Sequence, residues 1–314
     1  MLTAYAPDTS GQQMRLRPVS DLTQAMWVDV RGTGTPADQI AALQVDLPDP
    51  DDMSAIEISR RFYHRHGADY MTVFLPGDTG AAHPAIAPVS FILTPHRVIT
   101  VHKHRVAGLQ GTDLELPESD PRHAILALIG ACVGDLADRL EDLGRQIQDN
   151  AAPLFDEAHR PKPEILKRSL VVYARAGHQA STMRVGLLGL ERILNHLDEE
   201  FAAQNAPDSL APVQRRLARD VAAMLAHADV LSARAAAISD TTLGLVDLEQ
   251  NRSVSMLSAV VSLFAPATLI SSIYGMNFQA MPELHSAHGF EIAIGSMVLS
   301  AIITFLFYRW RGWM

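Results

Sequence analysis

The sequence predicts an α+β protein: an N-terminal cytosolic α/β domain, then a helical layer whose very long stalk helix continues into the first of two C-terminal transmembrane helices. Three observations predict it. The formal net charge of -9 lies entirely in the first 255 of the 314 residues, because only Arg309, Arg311, Glu283 and Glu291 follow Ser255. That last stretch contains two long apolar runs free of charge. Strand-like runs are confined to the first third of the chain, and helical spacing replaces them afterwards.

Each element follows from local chemistry. From Gln13 to about Val106, β-branched and aromatic runs alternate with turn residues: Met26 to Val30, Asp69 to Leu75, Pro88 to Thr94 and Arg97 to His102. Thr35 to Gln44 carries a helix-start signature, an N-cap Thr followed by Pro at the first helical position. From about Pro121, apolar residues recur at helical spacing through Ala124 to Gln148 and Glu164 to Glu200. Pro207, Ser209 and Pro212 begin a third helix, and from Val213 to Tyr274 only Gly244 and Pro266 interrupt it singly. That stretch is on the order of 90 Å at helical rise.

Met256 to Tyr274 and Ile292 to Tyr308 are the charge-free runs. Crossing a bilayer core of about 30 Å takes roughly 20 apolar residues. The first run fits, and Phe290, Trp310 and Trp313 extend the second. The alternative, two buried helices of a soluble core, asks for charge-free lengths that globular helices rarely reach. Arg252 precedes the first run, Arg309 and Arg311 follow the second, and the connection has no Lys or Arg. The positive-inside rule then puts both termini in the cytoplasm. The opening residues lack a basic start followed by an apolar run, so no signal peptide is expected. The expected divisions are 1–120 (cytosolic α/β), 121–255 (helical layer and stalk) and 256–314 (membrane). Within the last, the spans are 256–274 and 292–308, the outer loop 275–291 and the basic tail 309–314.

Composition narrows function. A hydrophobic content of 48% against 19% charged excludes a disordered chain. A single cysteine, Cys132, leaves no intramolecular disulfide and no cysteine-based zinc site. The acidic balance argues against a nucleic-acid partner. Nucleophile-elbow, Walker, HExxH and dinucleotide motifs are absent from the sequence, so neither an enzyme nor a prosthetic group nor a small organic substrate is expected.

Two helices cannot enclose a polar path, so a transport role requires several copies of the chain around one axis, in contact with the lipid bilayer. Steps of three and four along the stalk give Asp240, Gly244, Asp247, Asn251, Val254, Ser258, Val261, Ala265 and Thr268. The stripe is polar at its start and small or hydroxylated further on, which suits a channel lining, with Leu257 beside it as a constriction that gates by dewetting. Read otherwise, Asp240 and Asp247 are solvated and Ser258 and Thr268 are helix-packing residues.

At the outer end of the stripe stands Tyr274-Gly275-Met276-Asn277-Phe278, followed by Met281-Pro282-Glu283-Leu284. A Gly-Met-Asn tripeptide closing the first of two C-terminal membrane helices, with Pro-Glu in a short outer loop, resembles the CorA family of divalent-cation transporters. The resemblance implies a homopentamer in the cell inner membrane that carries magnesium, with cobalt and nickel also transported. It implies that Gly275, Met276 and Asn277 form the selectivity filter, with Asn277 presenting its amide to the ion. It also places Thr268, Asn251 and Asp240 in the pore lining, Leu257 and Val254 at the hydrophobic gate, and Pro266 at the membrane-helix proline. Asp220 and Asp229 are weak candidates for a regulatory metal site between cytosolic domains.

The residue types suit that role. Magnesium sheds its water shell reluctantly, so neutral carboxamides that hydrogen-bond the shell favour passage. Glu283 attracts cations to the outer mouth, or is an exposed loop carboxylate without a role. Repulsion between copies of an acidic chain makes closure by cytosolic magnesium an expectation. Two alternatives stay open. One is a ZntB-like zinc transporter of the same superfamily, which His285 and His288 would suit. The other is a membrane-anchored scaffold or signalling protein. His102 and His104 alternate on a probable strand, with His96, His64 and His66 nearby, so a zinc or nickel site is conceivable. Lys103 and Arg105 instead read that segment as an exposed polar edge.

Overall fold

The computed structural model describes residues 1–8, 14–32, 36–55, 57–78, 85–110, 114–155, 162–203, 207–276 and 288–311. They form two compact units, one of Met1–Glu157 with Val171–Ser239, the other of Ala158–Leu170 with Asp240–Met314.

The first unit is built on a sheet of eight strands. They are β1 (Leu2–Asp8), β2 (Met14–Val19), β3 (Trp27–Arg31), β4 (Phe62–Arg65), β5 (Ala68–Gly77), β6 (Ala85–Leu93), β7 (Val98–His102) and β8 (Glu115–Leu116). Their order is β4-β5-β6-β7-β3-β1-β2-β8. Only β3 and β7 pair in parallel. The four strand runs expected from β-branched and aromatic residues became β3, β5, β6 and β7. The sheet also begins earlier than expected: β1 was not legible because alanine and proline interrupt its apolar alternation.

Three short helices lie between β3 and β4: α1 (Ala37–Ala41), α2 (Pro50–Ser54) and α3 (Ile58–Arg61). Pro36 is the N-cap of α1 and not its first helical residue, so the start signature is one position out of register. Thr35 lies outside the described residues. Asp49 caps α2 by accepting a hydrogen bond from the amide of Asp51.

Leu43, just after α1, joins Val28, Val30, Tyr70, Ile92 and Ile99 in a core on one face of the sheet. The other face meets long helices. α4 (Pro121–Ala151) starts at Asp120, whose carboxylate accepts from the Arg122 amide, and it contacts β6, β7 and β8. α5 (Pro163–Ala203) approaches β5 so closely that a Cβ on Gly189 would stand 2.8 Å from the Val73 Cβ. Strands covered on both faces are buried almost throughout, as β5 is.

The third long helix, α6 (Leu210–Tyr274), runs 65 residues without a break and includes Pro266. It starts three residues before the expected Val213, with the Leu210 amide donating to the Pro207 carbonyl. α7 (Gly289–Trp310) covers the second apolar run and extends it at both ends.

Gly108 sits in the turn of Ala107–Leu109 against α4, where a Cβ would lie 2.7 Å from the Cys132 Cα and 2.8 Å from the Ala131 carbonyl oxygen. Backbone atoms cannot yield as a flexible side chain can. Gly108→Ala is therefore expected to destabilise the protein by about 1–3 kcal/mol, measured as a lower Tm. Cys132 is fully enclosed, and burial pushes its thiol up, far from the thiolate range. In the native wild type it should resist alkylation for as long as the fold persists, and Gly108→Ala should speed its labelling.

Candidate functional site

In the second unit the apolar part of α6 has three sectors. Ala259 is buried, and Leu263, Pro266 and Ile270 on the same side are half-buried. Val260 and Phe264, bulky and apolar, are exposed and form a second sector. The third carries Ser258, Val261, Ala265 and Thr268, all exposed. At 100° per residue this sector lies away from Leu263 and Ile270. Toward the N-terminus it continues through Val254, Asn251, Asp247, Gly244 and Asp240, each exposed as well. Leu257 stands at its border, 65% exposed, and Val254 is 55% exposed. Every expected lining residue from Asp240 to Thr268 thus faces outward from the single chain.

Four hydroxyls in the apolar segments are satisfied locally. Thr268 donates to the Phe264 carbonyl at 2.9 Å, Ser296 to Ala293 at 2.8 Å, Ser300 to Met297 at 2.8 Å and Thr304 to Ser300 at 2.9 Å. Such back-bonding lets a hydroxyl sit in apolar surroundings without a distant partner. On α7 the shielded positions are Gly289, Ala293, Ser296, Met297, Ser300, Ala301, Thr304 and Tyr308, most of them small residues suited to close helix contact. By length and composition, α6 and α7 are each able to cross a membrane.

α6 ends with the Gly275 amide donating to the Ser271 carbonyl at 3.0 Å, and the Met276 amide to Ile273 at 3.2 Å, a tightening last turn. Gly275 is not in the left-handed region, so the glycine is not needed there for backbone conformation. A Cβ would instead crowd the Ser271 carbonyl oxygen at 3.3 Å. Met276 is exposed. Asn277 and Glu283 lie outside the described residues, as does His285. His288 Nδ1 stands 2.9 Å from a Glu291 carboxylate oxygen at the start of α7.

The acidic candidates on the earlier part of α6 differ from each other. Asp229 accepts from Arg184 Nε at 2.7 Å, tying α6 to α5 within the first unit. Asp220 is exposed and, with Glu115, lines a mainly apolar groove of about 930 Å³ between α4 and α6.

His102, the last residue of β7, and His104, two residues past the end of the strand, read differently from either expectation. β7 is an interior strand between β6 and β3, not an edge, and both His102 and His104 are buried. His102 Nδ1 faces the His104 carbonyl at 2.5 Å and its Nε2 faces Asp29 Oδ1 at 2.8 Å, while His104 Nε2 donates to the Leu75 carbonyl at 2.9 Å. Asp29 also accepts from Thr100, which accepts from the Trp27 indole. These rings knit strands together. Among the described residues the group whose donor atoms converge as metal ligands would is Asp69, His196 and Glu200. The sequence reading missed it, although His196 and Glu200 at i,i+4 on one helix were a legible signal.

An acidic α/β unit, a long helix whose last part is apolar enough to cross a membrane, and a second such helix close behind are the features of a membrane protein with a large extramembrane part. The match to the CorA-like Mg2+ transporter protein model runs over residues 23–309, and the chain belongs to that family. Its members are transporters and not enzymes. A relative from Haemophilus influenzae named magnesium transport protein CorA is 24% identical over 321 residues, covering 100% of both chains. The CorA magnesium transporter from Methanocaldococcus jannaschii shares the fold with a TM-score of 0.76 at 14% identity, over 100% of this chain and 99% of that one. The ZntB cytoplasmic domain from Vibrio parahaemolyticus superposes with a TM-score of 0.55 at 10% identity, over 78% of this chain and 98% of that one.

Burial depresses the affinity of His104 for a proton, with the neighbouring His102 adding to the effect against the Leu75 hydrogen bond. A histidine with a lowered folded pKa contributes stability above its unfolded value of about 6.5, lost as pH falls through the folded value. His104→Gln should therefore flatten the fall in Tm between pH 7.5 and pH 5.5. The Arg184–Asp229 pair is half exposed, so Asp229→Asn should cost at most about 1 kcal/mol in the same melts.

Proposed function

We propose that this chain assembles as a homopentamer in the cell inner membrane and conducts hydrated Mg2+ inward through an axial pore. Both termini are cytoplasmic in this reading, and no prosthetic group takes part. The observation that carries it is the outward-facing stripe on α6: Asp240, Asn251, Ser258 and Thr268 are exposed on a helix whose other side is shielded at Ala259, Leu263 and Ile270. Around a common axis these polar side chains meet water and a hydrated ion, while the bulky apolar sector meets lipid. Val260 and Phe264 suit lipid contact.

Asn277 supplies the filter with Gly275 and Met276. Carboxamide oxygens accept hydrogen bonds from the water shell of magnesium without displacing it, and without full charges they release the ion. Glu283 concentrates cations at the outer mouth, and the membrane potential adds about 2.3 kcal/mol of inward drive per charge per 100 mV. Leu257 and Val254 form the dewetting gate. Thr268, Asn251 and Asp240 line the path on either side of it. Cytosolic Mg2+ closes the pore by bridging acidic copies. Asp220 is the better bridging candidate, since Asp229 is engaged by Arg184 within its own chain. Cobalt and nickel share the route.

Uptake of Mg2+, Zn2+ and Co2+ by liposomes carrying the purified protein tests this. Mg2+ flux should fall as internal Mg2+ rises, and Asn277→Ala should lower Mg2+ flux on the order of tenfold, the loss of about 1.4 kcal/mol of ion stabilisation. Unaltered flux in Asn277→Ala would refute the filter, and zinc outrunning magnesium would favour a ZntB-like zinc transporter. No flux of any ion would favour a scaffold. In Leu257→Ser, a gate that works by dewetting should leak at internal Mg2+ levels that silence the wild type.

A further inference from the structure

Asp69 is the second residue of β5 and, like Met71 and Val73, alternates onto the face that meets α5, where Gly189 approaches Val73. Two turns further along α5 come His196 and then Glu200, an i,i+4 pair on one side of the helix. One donor atom from each of Asp69, His196 and Glu200 lies within 4.8 Å of the others. The residues come from a strand and a helix that the fold holds in contact, not from a mobile loop.

Two further facts distinguish this cluster from the acidic groups common on protein surfaces. Asp69 is only 5% exposed, and burying a carboxylate is costly unless a cation compensates it. His196 Nε2 is buried and has no hydrogen-bond partner, a condition that native structures resolve with a water or an ion. Its ring is fixed by an edge contact with Phe62 at 5.9 Å between centroids. His64 Nδ1 stands 2.6 Å from Asp69 Oδ1, the outer partner that orients a ligating carboxylate. A cavity of about 450 Å³ lined by His64, Asp69, Thr94 and Asp120 opens beside Asp69.

We infer that Asp69, His196 and Glu200 bind a first-row transition-metal dication of the zinc or cobalt class and so clip α5 to β5. Two carboxylates neutralise the charge, and the imidazole nitrogen selects against magnesium, which prefers oxygen ligands and water. Donors about 2.0–2.2 Å from such an ion stand at most about 4.4 Å apart. Side-chain rotation by a few tenths of an ångström closes the set. The site lies wholly within the first unit and does not depend on the pore reading.

Chelator-stripped full-length protein in detergent is titrated with Co2+, reading visible d–d absorption and its displacement by Zn2+. The wild type should bind one Co2+ per chain with a band that Zn2+ removes and millimolar Mg2+ leaves in place. His196→Gln and Glu200→Gln should each weaken Co2+ binding by about 100-fold, and Zn2+ should raise the Tm of the wild type but of neither variant. Asn277→Ala should keep the band, which separates this site from the filter. Metal-free circular dichroism of each variant verifies folding, and His64→Ala, which leaves the ligands intact, should weaken binding less. Wild-type stoichiometry and spectrum in both folded ligand variants would overturn the assignment, as would a band lost in Asn277→Ala alone.

Discussion

An apolar span has no water to satisfy its peptide groups, so its backbone must be bonded internally. That constraint bears on the apolar end of α6, a helix that runs unbroken from Leu210 to Tyr274. It also explains why Thr268, Ser296, Ser300 and Thr304 turn their hydroxyls back on carbonyls of their own helices. Pro266 is the departure, since it cannot donate to the Ser262 carbonyl. The proline lies on the shielded side with Ala259 and Leu263, and the outward stripe is left regular.

The same continuity links the acidic and apolar halves of the sequence through one element. Charges end at Arg252 on α6, and the residues beyond it become small, hydroxylated or apolar. A helix cannot present one sector to water, another to lipid and a third to its neighbour unless residue type changes around its circumference as well as along its length. α6 does both: Val260 and Phe264, Ser258 and Thr268, and Ala259 and Leu263 are three chemistries within four turns.

In the first unit, several buried polar groups of the sheet are engaged by a neighbour across strands. Thr72 and Ser90 sit opposite each other with hydroxyls 2.5 Å apart, and the Trp27–Thr100–Asp29–His102 chain crosses between β3 and β7. Asp69 is buried too and His196 half-buried, and what sets their cluster apart from His102 and His104 is the convergence of three donor atoms from β5 and α5.

Sequence periodicity and charge alone determined the order of strands then helices, the two apolar spans, the long helix that runs into the first of them and the polar and small-residue stripe beginning at Asp240. These are local properties: each depends on residues within a few turns of one another. The family resemblance added residue roles, because Gly275-Met276-Asn277 is a contiguous motif. What only tertiary structure decided required partners distant in the chain. β1 acquired its place by pairing with β2 and β3. β7 became interior through its parallel pairing with β3, which turned His102 from a polar edge into a buried link, and His104 just past the strand is held by the Leu75 carbonyl. Asp69 and His196 met across more than a hundred residues because α5 docks on β5 through Gly189. Local patterns dictate an element's type and its faces, but burial and convergence of side chains depend on which other element covers each face, and that is settled only when the chain packs.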